Sequence, residues 1–291
     1  MVAGMKHLVV IDGLSFLFRA YHAVRPLTRS DGLHTNALFG FAQMLLKVIN
    51  DLEPDLCCVA LDSIEKNFRY DIYPEYKAHR DEMDAEMAEQ MPYFEPLIQA
   101  FNIPGIRVEG VEADDVIATL ATTYGQKYKV TIVSSDKDLM QLLGGQVHML
   151  DTMKNKSMGA DEMKEKFGVG PDKVIEVQAL IGDSSDNIPG VKGIGPKTAA
   201  KLIDQFGSLK GIYDHLDEVE RDKLRENLAE NKDKADISYQ LVQLKTDVDI
   251  PVSEESLTLN PDLQTAQEFL LKLEFKTLAE RLKNHKAMNG N

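Results

Sequence analysis

At residues 6–13 the chain reads Lys6-His7-Leu8-Val9-Val10-Ile11-Asp12-Gly13. A β-branched apolar run closed by Asp-Gly predicts a buried strand over Lys6–Asp12. A helix should follow through Phe16–Ala23. Outward from this stretch the same signal returns at Leu56–Asp62 (LCCVALD) and Lys129–Ser134 (KVTIVS), with a fourth strand at Gln146–Leu150. Between them, Leu38, Phe41, Ala42, Leu45, Val48 and Ile49 fall at helical spacing within Asn36–Leu52, which Pro54 then stops. Ile117–Tyr124 is a short helix opened by the acidic Glu112–Asp115. Strands buried on both faces and alternating with helices imply an α/β fold with a mostly parallel central sheet.

From about Phe167 the pattern changes to helices joined by Gly-Pro turns, with no convincing buried strand before Val248–Pro251. Gly168-Val169-Gly170-Pro171 and Gly193-Ile194-Gly195-Pro196 echo each other, and Pro suits a first helical position because its missing N–H would be unpaired there. The expected organisation is an α/β domain over 1–166, a helical domain over 167–260 and a C-terminal helical segment over 261–291, with His285–Asn291 a frayed tail.

The 291 residues are 43% hydrophobic and 27% charged, enough apolar material for a sizeable core. No apolar run approaches the roughly 18 residues of a membrane span. Met1–His7 is too short and too lightly charged for a secretory leader. Cys57 and Cys58 are adjacent in a strand and point to opposite faces, so they neither pair nor make a zinc set. A reducing cytoplasm is the expected location. The net charge of −14 argues, taken alone, against nucleic acid. Acids gathered in a metal site, however, can hide a basic surface elsewhere.

The acids do gather. Asp12 and Asp62 stand at the carboxyl ends of strands, Asp136 and Asp138 follow the third strand, and Glu112, Asp114 and Asp115 sit at the mouth of a helix. In open α/β sheets the ligand crevice lies outside those strand ends. Asp183 and Asp186 in Gly182-Asp183-Ser184-Ser185-Asp186-Asn187 come from the helical region. Any one such Asp is equally explained as a turn or cap residue. All together they are not, because unit charges about 4 Å apart repel by roughly 4 kcal/mol at an effective dielectric near 20. Oxygen-only ligands point to Mg²⁺ or Mn²⁺. So many acids exceed what one ion uses, which implies two metals and phosphodiester chemistry.

Lys66–Arg80 (KNFRYDIYPEYKAHR) interleaves Lys66, Arg69, Lys77 and Arg80 with Phe68, Tyr70, Tyr73 and Tyr76. Cations for phosphates beside rings for bases suit single-stranded nucleic acid. Such a segment alone is usually a solvated face, but this one directly follows the strand ending in Asp62. Tyr76, Lys77 and Arg80 are therefore candidates, and Arg19, in the helix after Asp12, is similarly placed to meet a phosphate. Gly190-Val191-Lys192-Gly193-Ile194-Gly195-Pro196-Lys197-Thr198 misses the phosphate-loop spacing by one residue. It reads instead as a helix-hairpin-helix turn: Gly193 and Gly195 allow close backbone approach, amides before Thr198 meet a phosphate, and Lys192, Lys197 and Lys201 add charge. That contact would be sequence-independent. A plain Gly-Pro turn opening a helix is the simpler alternative.

In order along the chain, Val10-Ile11-Asp12-Gly13, Arg19-Ala20-Tyr21-His22-Ala23, Tyr76-Lys77-Ala78-His79-Arg80, Gly110-Val111-Glu112-Ala113-Asp114-Asp115, Ser135-Asp136-Lys137-Asp138, Gly182–Gly190 and Gly193–Thr198 closely resemble the 5′-nuclease domain of bacterial DNA polymerase I, in the flap endonuclease family. The resemblance runs from Lys6 to about Leu282. It implies a PIN/resolvase-like nuclease domain, a helical arch at about 66–92 and a helix-3-turn-helix domain for duplex DNA. The implied activity cuts 5′ flaps and 5′ ends at junctions of single and double strand, in replication and repair. By resemblance, Asp12, Asp62, Glu112 and Asp114 hold one metal and Asp136, Asp138 and Asp183 the other, with Asp115 and Asp186 acting partly through waters. Lys77 and Arg80 would polarise the scissile phosphate, Tyr76 would stack on a base, and Arg19 would hold a phosphate. The family's hairpin can also bind K⁺. The implied protein is a bacterial, cytoplasmic monomer acting on DNA with 5′ flaps, overhangs or nicks. Ser135 departs from the Gly usual in polymerase I. No polymerase region follows Leu273-Glu274-Phe275-Lys276, so a stand-alone nuclease and an excised domain both stay open. Two rivals are a DNA-binding hairpin protein without catalysis and a related RNA-cutting nuclease. The complete acid set speaks against the first and the hairpin region against the second.

Overall fold

The computed structural model describes residues 4–152 and 156–282. Its strands are β1 (His7–Asp12), β2 (Leu56–Leu61), β3 (Gly105–Arg107), β4 (Lys129–Val133), β5 (Val147–Asp151) and β6 (Lys156–Met158). They form one sheet in the order β3-β2-β1-β4-β5-β6. Every pairing is parallel except β5 with β6. The helices, in chain order, are α1 (Gly13–Ala23), α2 (Asn36–Leu52), the single turns α3 (Arg69–Ile72) and α4 (Ala85–Ala88), α5 (Met91–Ala100), α6 (Ala113–Tyr124), α7 (Ala160–Phe167), α8 (Val174–Ile181), α9 (Pro196–Phe206), α10 (Leu209–Asp214), α11 (Asp222–Glu230), α12 (Lys232–Val242), α13 (Glu254–Leu257), α14 (Leu263–Lys272) and α15 (Lys276–Leu282).

β1 and β2 are buried at every position, because helices cover both faces of the sheet. Val9, Ile11 and Cys57 pack on one face with Phe16, Phe41, Leu97, Leu270 and Leu278. Leu8, Val10 and Cys58 pack on the other with Ile117 of α6 and with Leu180, Leu202 and Leu228. Adjacent cysteines thus enter different cores, as strand alternation requires, and both thiols are free. The helical region shares one core with the sheet, while α14 and α15 return to the opposite face, where Phe275 meets Phe39 edge-on at 5.2 Å.

Several expectations change. The first helix begins at Gly13 rather than Phe16, since Asp12 accepts from Ser15 N and caps it. β3 and β6 are short additions at the two sheet edges. Over 66–92 the expected helical arch is mostly irregular backbone holding α3, α4 and the start of α5; Pro74 and Lys77, the latter at φ 58°, interrupt helix there. Val248–Pro251 forms no strand. The tail His285–Asn291 lies outside the described residues. Among the described residues no helix is long and apolar enough to cross a membrane.

After β1 the chain adds strands on one side, then returns to add β4 on the other. This switch point opens a crevice at the carboxyl ends of β1 and β4.

Candidate metal and nucleic-acid site

Asp12 fills that crevice from β1. Its carboxylate accepts from Ser15 N at 3.3 Å and from Ser134 Oγ at 2.8 Å. Ser134, just past β4, also accepts from Asp136 N at 3.0 Å, so one hydroxyl sets the spacing between the two strand ends. Asp138 N donates to Asp136 Oδ1 at 2.9 Å, and Gln178 of α8 donates to the Asp138 carboxylate. From the neighbouring strand, Asp62 accepts from Ala113 N at 3.1 Å, at the mouth of α6.

Glu112 is the N-cap of α6 and is almost fully buried. Asn67 donates to it at 2.9 Å, Tyr76 OH at 3.1 Å, and the Lys77 ammonium closes the set. Asp115 is buried completely. It takes two hydrogen bonds from Arg69, at 2.7 and 2.9 Å, one from Glu112 N at 3.0 Å and one from Lys245 N at 2.9 Å. Its acceptor positions are thus taken by partners inside the protein. Asp114, between them, receives no hydrogen bond and no ion pair among the described residues.

The turn at 75–80 docks on the loop at 183–187. Lys77 N donates to Asp186 O at 2.9 Å and Asn187 Nδ2 to Glu75 O at 2.7 Å. Arg80 grips Asp186 through Nη2 at 2.6 Å and Nε at 3.1 Å. Lys137 reaches Asp183 at 2.7 Å. The loop needs glycine at both ends: a Cβ on Gly182 (φ +70°) would lie 2.4 Å from Ile188 O, and one on Gly190 (φ +57°) 2.5 Å from Gly182 N. Tyr76, expected to stack on a base, is instead 3% exposed. Its ring packs with Ile188, Leu241 and Val242, and burial beside Glu112 pushes its hydroxyl pKa well up. In this arrangement it anchors the turn rather than offering a face.

Electrostatics ties these acids into one cluster. Burial, then Asp62 and Asp136, pushes Asp12 up to about 6. Burial, then Asp136, Asp183 and Asp186, pushes Asp138 up to about 7, against the pull of Lys137. Asp114 is raised well above the usual carboxylate range by its enclosure and by Asp12, Asp136, Glu112 and Asp138. At Asp183 burial opposes ionisation, yet Lys137 and the Ser185 amide hold it below the ordinary value. The cations thus serve Glu112, Asp183 and Asp186. Asp12, Asp62, Asp114, Asp136 and Asp138 have no cationic partner within ion-pair distance among the described residues. An oxygen-only donor set short of positive charge fits a hard divalent cation in chemistry and charge. In distance the set is open: among the described residues no three Asp, Glu, His or Cys side chains converge tightly enough to ligate one ion.

Arg19 lies 3.5 Å from Asp151 at the end of β5, and its Nη2 is buried without a hydrogen bond. On the hairpin, Gly193 is at φ +81° and Lys192 O accepts from Asn227 of α11 at 3.0 Å. Gly195 caps α9 in extended conformation. Thr198 N already bonds Gly195 O at 3.0 Å, so the turn offers fewer free amides than its sequence suggests. Lys192, Lys197 and Lys201 are exposed, and Lys197 and Lys201 line a groove with Arg221. Arg69, Asn67, Ser134, Lys137, Gln178 and Arg221 were not singled out from the sequence. Lys137 and Arg69 had a signal, being basic residues inside or beside acidic and aromatic motifs; Gln178 had none.

Two family models match in succession: the 5′-3′ exonuclease N-terminal resolvase-like domain over residues 7–168 and the 5′-3′ exonuclease C-terminal SAM fold over 169–265. The chain belongs to the 5′-3′ exonuclease family. Within this family it is 38% identical over 280 residues to a protein named 5′-3′ exonuclease from Aquifex aeolicus, covering 96% of each chain. It is 44% identical over 288 residues to DNA polymerase I of Rhizobium leguminosarum, covering 95% of this chain and 28% of that one. The match to DNA polymerase I of Bacillus subtilis is 40%, over 32% of its length; the chain spans about a third or less of these polymerases. Among solved structures, the bacteriophage T5 5′-exonuclease with zinc bound superposes at TM-score 0.69 with 25% identity, over 96% of this chain and 99% of that one. The catalytic core of Rad2 in complex with DNA shares the fold at TM-score 0.65 and 20% identity, over 96% and 91%. A resolvase-like sheet domain joined to a SAM-like helical domain is therefore the fold of this exonuclease family member.

Proposed function

We propose that the chain is a divalent-metal-dependent, structure-specific 5′-nuclease that hydrolyses DNA phosphodiesters where a 5′ single strand meets duplex. The observation that carries this reading is the set of five carboxylates without a cationic partner among the described residues, Asp12, Asp62, Asp114, Asp136 and Asp138, clustered with Glu112 and Asp186, which Lys77 and Arg80 hold. In metal-bearing relatives of this fold the metal is seen directly; the oxygen-only donors here favour Mg²⁺, with Mn²⁺ as substitute. Asp12, Asp62, Glu112 and Asp114 would hold one ion and Asp136, Asp138 and Asp183 a second, with Asp186 acting through water. Bound there, the ions supply an activated water and offset the charge of the leaving 3′ oxygen.

The chain's own residues do the rest. Lys77 and Arg80, released from Glu112 and Asp186, offset charge on the scissile phosphate. Arg19, with its buried unpaired Nη2, holds a neighbouring phosphate. Lys192, Lys197 and Lys201 grip the duplex backbone without reading sequence, and the hairpin carbonyls offer a K⁺ site. Asp115 is assigned to positioning Glu112 and Arg69.

The test is cleavage of a 5′-flap DNA labelled at its 5′ end, with Mg²⁺ and then with EDTA, beside single-stranded and blunt duplex controls. Mg²⁺-dependent cutting at the junction supports the reading. Tight binding without cutting would make the chain a DNA-binding module instead, and preference for an RNA flap would move it to the RNA-cutting nucleases.

A further inference from the structure

Ile64 is the most exposed large hydrophobic residue among those described, at 81%. An isolated exposed apolar side chain is ordinary on a loose loop, but this loop is not loose. Ser63 N donates to Val111 O at 3.3 Å and Gly110 N to Ser63 Oγ at 3.0 Å. The Ser63 hydroxyl lies 2.7 Å from the Glu109 carboxylate, which also accepts from Glu65 N at 3.2 Å. These bonds pin both residues flanking Ile64 to the strand-to-helix segment at 109–111, so the side chain is held outward by its backbone. Ile64 lines a surface depression together with Leu14, Asp62, Tyr70, Lys77, Arg80 and Glu112. Ile64 thus stands one residue beyond Ser63 and two beyond Asp62, on the rim of the acid cluster, beside the two cations assigned to a phosphate.

We propose that Ile64 is an apolar wedge that packs against the nucleobase next to the scissile phosphate and helps hold it out of the base stack. The inference rests on the nuclease reading above. A phosphate at Lys77 and Arg80 brings its own base to this rim. Of the other apolar and aromatic residues lining it, Leu14 and Tyr70 are half-buried and Val111 is buried, so Ile64 is the apolar side chain most open to a base face. Aliphatic side chains act in this way when inserted at a base step, partly unstacking it. The contact is sequence-tolerant, because every base has an apolar face.

The experiment uses a 5′-flap DNA carrying 2-aminopurine at the first paired nucleotide beside the flap, bound in the presence of Ca²⁺, with single-turnover cleavage in Mg²⁺ measured in parallel. The wild-type chain should raise the fluorescence on binding, as the base leaves its stack. Ile64→Ser should lose that rise and cut roughly tenfold more slowly, the loss of one stacking-sized contact, with affinity for fully paired duplex unchanged. Ile64→Leu should restore both. If Ile64→Ser matches the wild type in fluorescence and rate, the wedge is overturned while the nuclease reading stands. If the wild-type chain neither binds nor cuts the flap, that reading falls and takes the wedge with it.

Discussion

Arg69 and Asp115 grip each other through two hydrogen bonds, Nη1 to Oδ2 at 2.7 Å and Nη2 to Oδ1 at 2.9 Å, where neither side chain is more than 1% exposed. Arg69 Nε also donates to Leu241 O at 2.8 Å. The pair therefore ties α3, the start of α6 and the end of α12 together directly behind Glu112. Its physical role is to fix where the acid cluster's wall stands.

Removing one partner leaves a buried charge alone, which costs about 3–5 kcal/mol. Arg69→Met should lower the melting temperature by on the order of 10 °C for a chain of this size. Combining it with Asp115→Leu should recover part of the loss, because no lone charge remains. Calorimetry of the singles and the double decides; strictly additive losses would show that the two residues do not act as a pair.

Asp62→Asn and Asp136→Asn each remove a charge from carboxylates that have no cationic partner among the described residues. Both should abolish flap cleavage and leave DNA affinity largely intact, as read by anisotropy. A variant that still cuts at near wild-type rate would take that residue out of the metal set.

Lys197 is exposed at the mouth of α9. Lys197→Ala should weaken duplex binding evenly across sequences and reduce the log–log salt slope by about 1. Loss confined to flap-bearing DNA would place Lys197 at the cutting site rather than on the duplex.

His7 sits between β2 and β4, its Nε2 2.8 Å from Thr131 Oγ1. Burial, helped by Lys129, lowers its pKa from 6.5. The folded state therefore prefers the neutral ring, and the unfolded chain takes up a proton first as pH falls. The stability His7 contributes is complete above pH 6.5 and is lost progressively below it. Asp12 and Asp138, pushed up to about 6 and about 7, work in the opposite sense in the metal-free chain. The test is accordingly a difference: urea midpoints of wild type and His7→Gln should converge between pH 7.5 and 5. A constant gap would show that the ring does not titrate differently on folding.

What the sequence by itself determined is whatever local pattern encodes. β1, β2 and β4 were legible within a residue or so because strands buried on both faces must be continuous apolar runs, and α2 because its apolar residues keep one face. The acids were legible because strand ends and helix mouths place them on one sheet edge. Tertiary structure alone decided which acids are free. Asp114 and Asp115 are neighbours of the same type, yet Arg69, 46 residues away along the chain from Asp115, consumes one and leaves the other without a partner among the described residues. Tyr76 reads as a nucleic-acid ring until Ile188, Leu241 and Val242 close over it. Three-residue strands such as β3 and the irregular turn at 73–84 carry too little periodicity to be read, since their conformation follows from what they dock against. Burial and pairing across the chain are properties of distance, and no local window of sequence contains them.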